Sequence, residues 1–188
     1  MPNSIDQALD NLFDMFLSTA PESSRLVEFD PKWPSPCYQS KGKTGEHVIW
    51  TPVLCEPSLR LSNVEAGMDI QLHDDLHRYF GRYFSDNLDL QTERGNLQLL
   101  FAWNESDFDR LQQNIIGHLL MKQRLEQPPT VFFAVTDEED FILTVDNENG
   151  AVMLEQVGLP PTEQLAPDLA TFIGSLTLPE QKIIDLSL

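Results

Sequence analysis

The run from Asn104 to Pro129, "NESDFDRLQQNIIGHLLMKQRLEQPP", narrows the folds open to this chain more than any other stretch. Phe108, Leu111, Ile115 and Leu119 recur at helical spacing and Ile116 and Leu120 widen the stripe, which predicts one long amphipathic helix laid on a core. Glu105, Asp107 and Asp109 open it and Lys122 and Arg124 close it, a polarity that complements the helix macrodipole. Pro128 and Pro129 cannot continue it. Gly117 sits mid-helix, where it costs about 1 kcal/mol relative to alanine, so a close helix-to-sheet contact is expected there. His118, on or near the apolar face, reads as a core histidine whose ring nitrogens find partners.

The segments around that helix are strand-like. "TVFFAVT", "DFILTVD" and "GAVMLEQV" follow it as three strands with turns at "DEE" and "NENG". "NLDLQT" and "GNLQLLFAW" precede it as a hairpin about Glu93, Arg94 and Gly95. Further upstream, Ile5, Leu9, Leu12, Phe13, Phe16 and Leu17 predict a helix over about residues 4–19 with Ser4 and Gln7 as a capping box. "FDPKWPSPCY" is too rich in proline for a helix and reads as an extended segment within the domain, and "HVIWTPV" reads as a strand. "SNVEAGMDIQLHDDLHRYFGRYF" carries Leu72, Leu76, Tyr79, Phe80 and Phe84 on one face and reads as helical, and a last helix is expected near Pro167–Leu176. Antiparallel strands segregated from the helices that pack on them imply an α+β fold. With 188 residues and 41% apolar content, one domain spanning 1–188 is expected, its residues 178–188 forming a C-terminal tail.

Charge then limits the partners. The formal net charge is −18, and no Lys or Arg lies between Leu125 and Gln181. Such a chain repels duplex nucleic acid and the anionic cytoplasmic leaflet, and its field suits a basic partner. No window approaches the roughly 20 apolar residues of a membrane-spanning helix. The N-terminal stretch, interrupted by Asp6, Asp10 and Asp14, does not read as a secretory signal. Cys37 and Cys55, the only cysteines, fit reduced thiols in a bacterial-type cytosol.

Few motifs suggest chemistry. "HDDLH" puts His73 and His77 four residues apart, where on a helix both imidazoles can reach one metal ion; a hydrolase built this way would need Asp74 as base and a third ligand that is not assigned. "DNENG" lacks the glycine position and flanking helices of an EF-hand and reads as a hairpin turn at Asn149 and Gly150. There is no GxSxG, GxxxxGK[ST] or GxGxxG. "TDEEDF", Thr136–Phe141, is either a solvated strand-to-strand turn or one lobe of an acidic docking surface.

Taken together, "WPSPC" at 33–37, "FAWNESDFDRLQQN" at 101–114, "NIIGHLLMKQRLEQPPTVFFA" and the acidic strands after it give a sequence that resembles the Syd family, the SecY-interacting proteins of proteobacteria. The similarity runs roughly from Ser4 to Leu178 and leaves "PEQKIIDLSL" unmatched. The shared positions are Pro34, Ser35, Pro36 and Cys37; Glu65, Asp69 and His77; Trp103, Asp107 and Phe108; and Gly117, His118, Pro128 and Pro129.

The resemblance implies a Smi1/Knr4-like α+β domain without catalytic activity or cofactor. It also implies binding to SecY on the cytoplasmic side of the inner membrane, restraining uncomplexed or defective translocase. Basic cytoplasmic loops, expected from the positive-inside rule, suit an acidic partner. Membrane association is then indirect, through SecY, and the chain is expected to be a monomer. The expected partner-binding residues are Glu65, Asp69, Asp74, Asp75, Glu138, Glu139 and Asp140. Two other classes compete: an inhibitor or immunity-type protein that binds a basic nuclease or nucleic-acid-binding protein, and the metal-dependent hydrolase using His73 and His77.

Overall fold

Ser4 starts the first helix. In the computed structural model, which describes residues 4–180, its hydroxyl accepts from the Gln7 N–H at 3.2 Å and α1 runs over Ile5–Thr19. The reciprocal half of the capping box is absent, because the Gln7 amide reaches Asn11 at 3.0 Å instead. Ile5, Leu9, Leu12, Phe13 and Phe16 are buried as their spacing requires.

After a 3-10 turn at Glu22–Arg25, β1 (Leu26–Glu28) pairs antiparallel with β2 (His47–Ile49). The strand expected over His47–Val53 is divided: β3 is Val53–Leu54 and pairs elsewhere, with β4 (Tyr83–Phe84). Pro52, which has no N–H to give a ladder, lies at the break. The proline-rich segment before β2 is tied down: Ser35 Oγ donates to the Trp103 carbonyl at 2.6 Å and Asn104 Nδ2 donates to the Pro34 carbonyl at 2.8 Å.

The single helix expected over residues 62–84 is two. α2 (Ser62–Met68) stops at Asp69, whose φ of 50° is left-handed, and α3 (Asp74–Arg82) starts anew after His73. The His73 Nδ1 accepts from the Asp75 N–H at 3.3 Å, so the ring serves as an N-cap. Leu76, Tyr79 and Phe80 face the core from α3, whereas Leu72 reaches it from the link and Phe84 packs against it from β4.

β5 (Leu88–Thr92) and β6 (Gly95–Leu99) form a hairpin whose turn is the two residues Glu93 and Arg94. α4 spans Glu105–Arg124, capped by Asn104, which accepts from the Asp107 N–H at 2.8 Å. Its C-terminus is a Schellman turn with Glu126 at φ 56°, Gln127 N–H donating to the Lys122 carbonyl and Glu126 N–H to that of Gln123. Phe108, Ile115 and Leu119 are buried, but Leu120 is 41% exposed, while Gln112 and Lys122 are buried. Gly117 has open space where a Cβ would stand, so the expected close contact is not there.

β7 (Thr130–Thr136), β8 (Phe141–Asp146) and β9 (Val152–Gln156) form the expected meander. A fourth strand, β10 (Glu163–Ala166), and a short α5 (Leu169–Gly174) follow it. Pairing of β6 with β7 joins hairpin and meander into one six-stranded antiparallel sheet, ordered β10-β9-β8-β7-β6-β5. One face carries Val131, Phe133, Leu143 and Val145 and meets α3 and α5 through the Tyr79–Phe133 and Phe133–Phe172 ring contacts. Strand alternation puts Thr144 and Glu155 on the other face, which α4 covers. The result is one α+β domain. Past α5 the chain bridges to β5 at Thr177, and the Glu180 N–H donates to the Gln91 side chain at 3.0 Å; residues 181–188 of the expected tail lie outside the described residues.

Candidate interaction surface

The acidic turn 137–140 is built from its flanking threonine. Thr136 Oγ1 accepts from the Glu138 N–H at 3.2 Å and lies 3.0 Å from the Phe141 carbonyl. The Phe141 N–H closes the turn onto the Glu138 carbonyl at 3.2 Å, and Asp140 takes a left-handed φ of 69°. Asp137, Glu138, Glu139 and Asp140 are all exposed, and none forms an ion pair among the described residues.

This turn stands at the rim of a cleft of about 640 Å³. The cleft exists because the sheet curls until the β5–β6 turn meets the β10 edge, where Arg94 Nη1 lies 2.7 Å from Glu163 Oε1. Its floor is apolar, with Leu97, Leu143, Leu154 and Phe172, and among the described residues its charged lining is Glu93, Asp137, Glu138, Glu163 and the single cation Arg94. A concave surface with an apolar floor and four carboxylates against one guanidinium is complementary to a basic segment carrying apolar side chains.

Of the expected partner-binding residues, Glu138 lines this cleft; Glu139 and Asp140 belong to the same turn without lining it. Glu65, Asp69, Asp74 and Asp75 cluster at the α2–α3 link, which Asn147 of the β8–β9 turn holds: the His73 N–H donates to Asn147 Oδ1 and Asn147 Nδ2 donates to the Gln71 carbonyl, both at 2.9 Å. The two acidic groups therefore lie at opposite ends of β8, whose six residues span about 20 Å. Much of the second group's charge is engaged locally. Glu65 accepts from the Leu72 N–H at 2.9 Å and the His77 ring at 3.0 Å, which hold its carboxyl below the usual range. Asp74 is held low by Arg78 at 2.8 Å, with Arg60 at 3.7 Å. Burial raises the pKa of Asp75. Asp69 is exposed and shapes the end of α2. The sequence did not mark Glu93, Arg94 and Glu163 as site residues, and Asp137 entered only as part of the acidic "TDEEDF" turn. The first two looked like mere turn residues, and Glu163 depends on β10.

The histidines do not form a metal pair. His73 precedes α3, so the helical spacing that would aim two rings at one ion does not apply. His77 is buried with both nitrogens used, Nδ1 accepting from the Leu61 N–H and Nε2 meeting Glu65, each at 3.0 Å. The His73 ring also packs against Gly150, whose φ of 79° and missing Cβ admit it: a Cβ there would lie 2.6 Å from the ring. "DNENG" is a hairpin turn in which Asp146 Oδ1 accepts from the Glu148 N–H at 2.8 Å. Cys37 and Cys55 are buried and free, each thiol pushed up to about 11 by burial, which disfavours the reactive thiolate. No helix among the described residues is long and apolar enough to cross a membrane.

Known proteins place these features in a family. Residues 6–178 match the model of the family described as Syd protein (SUKH-2). Protein Syd of Pseudoalteromonas atlantica (strain T6c / ATCC BAA-1087) is 47% identical over 180 residues, covering 94% of this chain and 97% of that protein. Protein Syd of Alteromonas mediterranea (strain DSM 17117 / CIP 110805 / LMG 28347 / Deep ecotype) is 50% identical over 177 residues, covering 94% and 98%. Protein Syd of Colwellia psychrerythraea (strain 34H / ATCC BAA-681) is 49% identical over 160 residues, covering 80% of each chain. With the match spanning nearly the whole α+β domain, this chain belongs to the Syd family.

Proposed function

We propose that this protein is a non-catalytic binding protein of the Syd family that docks on SecY at the cytoplasmic side of the inner membrane and restrains translocase whose SecY is not properly complexed. The observation that carries the docking mode is the cleft with an apolar floor and a rim of Glu93, Asp137, Glu138 and Glu163. Basic cytoplasmic loops of a membrane channel supply the opposite charge. The net charge of −18 steers such loops from a distance and keeps the protein off anionic lipid. On this reading the protein is peripheral, held at the membrane through its partner.

The test is co-sedimentation with membrane vesicles that contain SecY, titrated with salt. Attraction between exposed charges is screened beyond about 8 Å at physiological ionic strength, so binding is expected to fall steeply as salt rises. Charge reversal in D137K/E138K is expected to weaken binding at least about tenfold, a loss of roughly 1.4 kcal/mol, with an unchanged circular dichroism spectrum. Binding indifferent to both salt and this double substitution would sink the proposal.

A further inference from the structure

Arg94 is out of keeping with its surroundings. Among the described residues it is the one cation lining a cleft whose other charged groups are Glu93, Asp137, Glu138 and Glu163. Its guanidinium lies 2.7 Å from the Glu163 carboxylate, from the β5–β6 turn to the β10 edge, so the pair links opposite walls of the cleft. The two side chains are 59% and 49% exposed, so burial does not lock them together. The backbone N–H of Arg94 is held by the Thr92 hydroxyl at 3.1 Å, whereas its side chain has no other ion-pair or hydrogen-bond partner among the described residues. Glu163 lies within the Leu125–Gln181 segment that has no Lys or Arg of its own, so its cation comes from elsewhere in the fold.

We infer that Arg94 is the protein's internal competitor for the cleft: its guanidinium occupies, on Glu163, the position that a cationic side chain of the bound segment takes. The inference rests on the cleft reading above and specifies its ligand further. A planar guanidinium donates a fork of hydrogen bonds that matches a carboxylate, and an ammonium does not. The segment that fits best therefore carries an arginine beside an apolar residue, the arginine replacing Arg94 on Glu163 and the apolar group reaching Leu143, Leu154 and Phe172. Exposed ion pairs contribute little net stability, so the exchange has a low threshold. Arg94 thereby selects against weakly basic segments by making each ligand displace a cation already in place.

The probe is a synthetic peptide alternating arginine and leucine, its binding measured by fluorescence anisotropy on the whole protein. R94Q is expected to bind it about two- to five-fold more tightly than the unsubstituted protein, the range an exposed pair corresponds to. E163Q is expected to bind more weakly, and R94Q/E163Q no more tightly than E163Q, because the benefit of removing Arg94 requires the Glu163 carboxylate. R110Q, the same charge change at a surface arginine paired with Asp107, controls for net charge and is expected to give a smaller gain. Equal gains from R94Q and R110Q, or weaker binding by R94Q, overturn the inference. If D137N/E138Q still weakens binding in that case, the cleft reading stands without it. A peptide that binds none of these variants overturns both.

Discussion

Lys122 and Glu155 are 1% and 0% exposed and lie 2.8 Å apart beneath α4, so at this position the fold buries two charges completely. Burial of an ion pair is tolerated when the remaining lone pairs are satisfied. Here Thr130 and Thr144 both donate to Glu155 Oε2, at 2.8 and 3.0 Å. The His118 Nε2 lies 3.1 Å from the Thr130 hydroxyl, and burial lowers the pKa of that imidazole. The cluster fixes how α4 sits on the sheet, since only one helix position puts Lys122 over Glu155. Replacing Lys122 by methionine leaves a buried carboxylate without its cation and is expected to cost about 3–5 kcal/mol. K122M/E155Q, with neither charge buried, is expected to lose less than K122M alone. Urea unfolding of the three proteins checks both statements, and a K122M loss under about 1 kcal/mol would mean the pair is not the determinant argued here.

Two helical glycines show how an element's surroundings decide what a residue does. The inner side of α3 is a rail for the chain before α2: the Leu59 N–H donates to the Gly81 carbonyl at 2.9 Å, the Leu61 N–H to the His77 ring at 3.0 Å and the Cys55 N–H to the Arg82 carbonyl at 2.8 Å. A Cβ on Gly81 would stand 1.9 Å from the Leu59 carbonyl oxygen, a backbone atom that cannot rotate away. Gly81→Ala is therefore expected to cost about 3 kcal/mol or more through overpacking. Gly117 of α4 has nothing within 4 Å of the same position among the described residues. Gly117→Ala should stabilise by about 1 kcal/mol through helix propensity. Thermal unfolding of the two variants should shift in opposite directions, and a destabilising G117A would show that α4 is constrained at Gly117 by something other than packing.

For the molecule as a whole, charge is the dominant long-range term. Arg60, Arg78, Arg82, Arg94 and Arg110 are paired with local carboxylates, and Lys122 is spent in the core, so much of the cationic complement is used locally. The net charge of −18 is left to repel itself. Raising salt from low to physiological ionic strength should therefore raise the thermal midpoint at neutral pH. A gain of about 1 kcal/mol corresponds to roughly 2–4 °C for a chain of this size. Loss of exposed ion pairs acts in the opposite direction, and a midpoint that falls with salt would show that those pairs outweigh the repulsion.

Local physics made several elements legible in the sequence. Ser4 and the stripe from Ile5 to Phe16 marked α1, Asn104 to Pro129 marked α4, and alternation with Asn149-Gly150 marked the meander, because the interactions that shape each lie within one helix or between adjacent strands. The composition likewise fixed the sign and size of the protein's own net charge. Other features depend on residues far apart in the chain. Leu72 suited either one helix or two until Asn147 gripped the backbone at Gln71 and His73. Lys122 suited a solvated last turn until Glu155 came under it. Pairing of β6 with β7 and the curl of the sheet brought Glu93 and Arg94 to Glu163 and set the acids of the α2–α3 link at the other end of β8. The sequence alone determined how much negative charge this protein carries, and the long-range strand pairing decided which carboxylates share a concave surface.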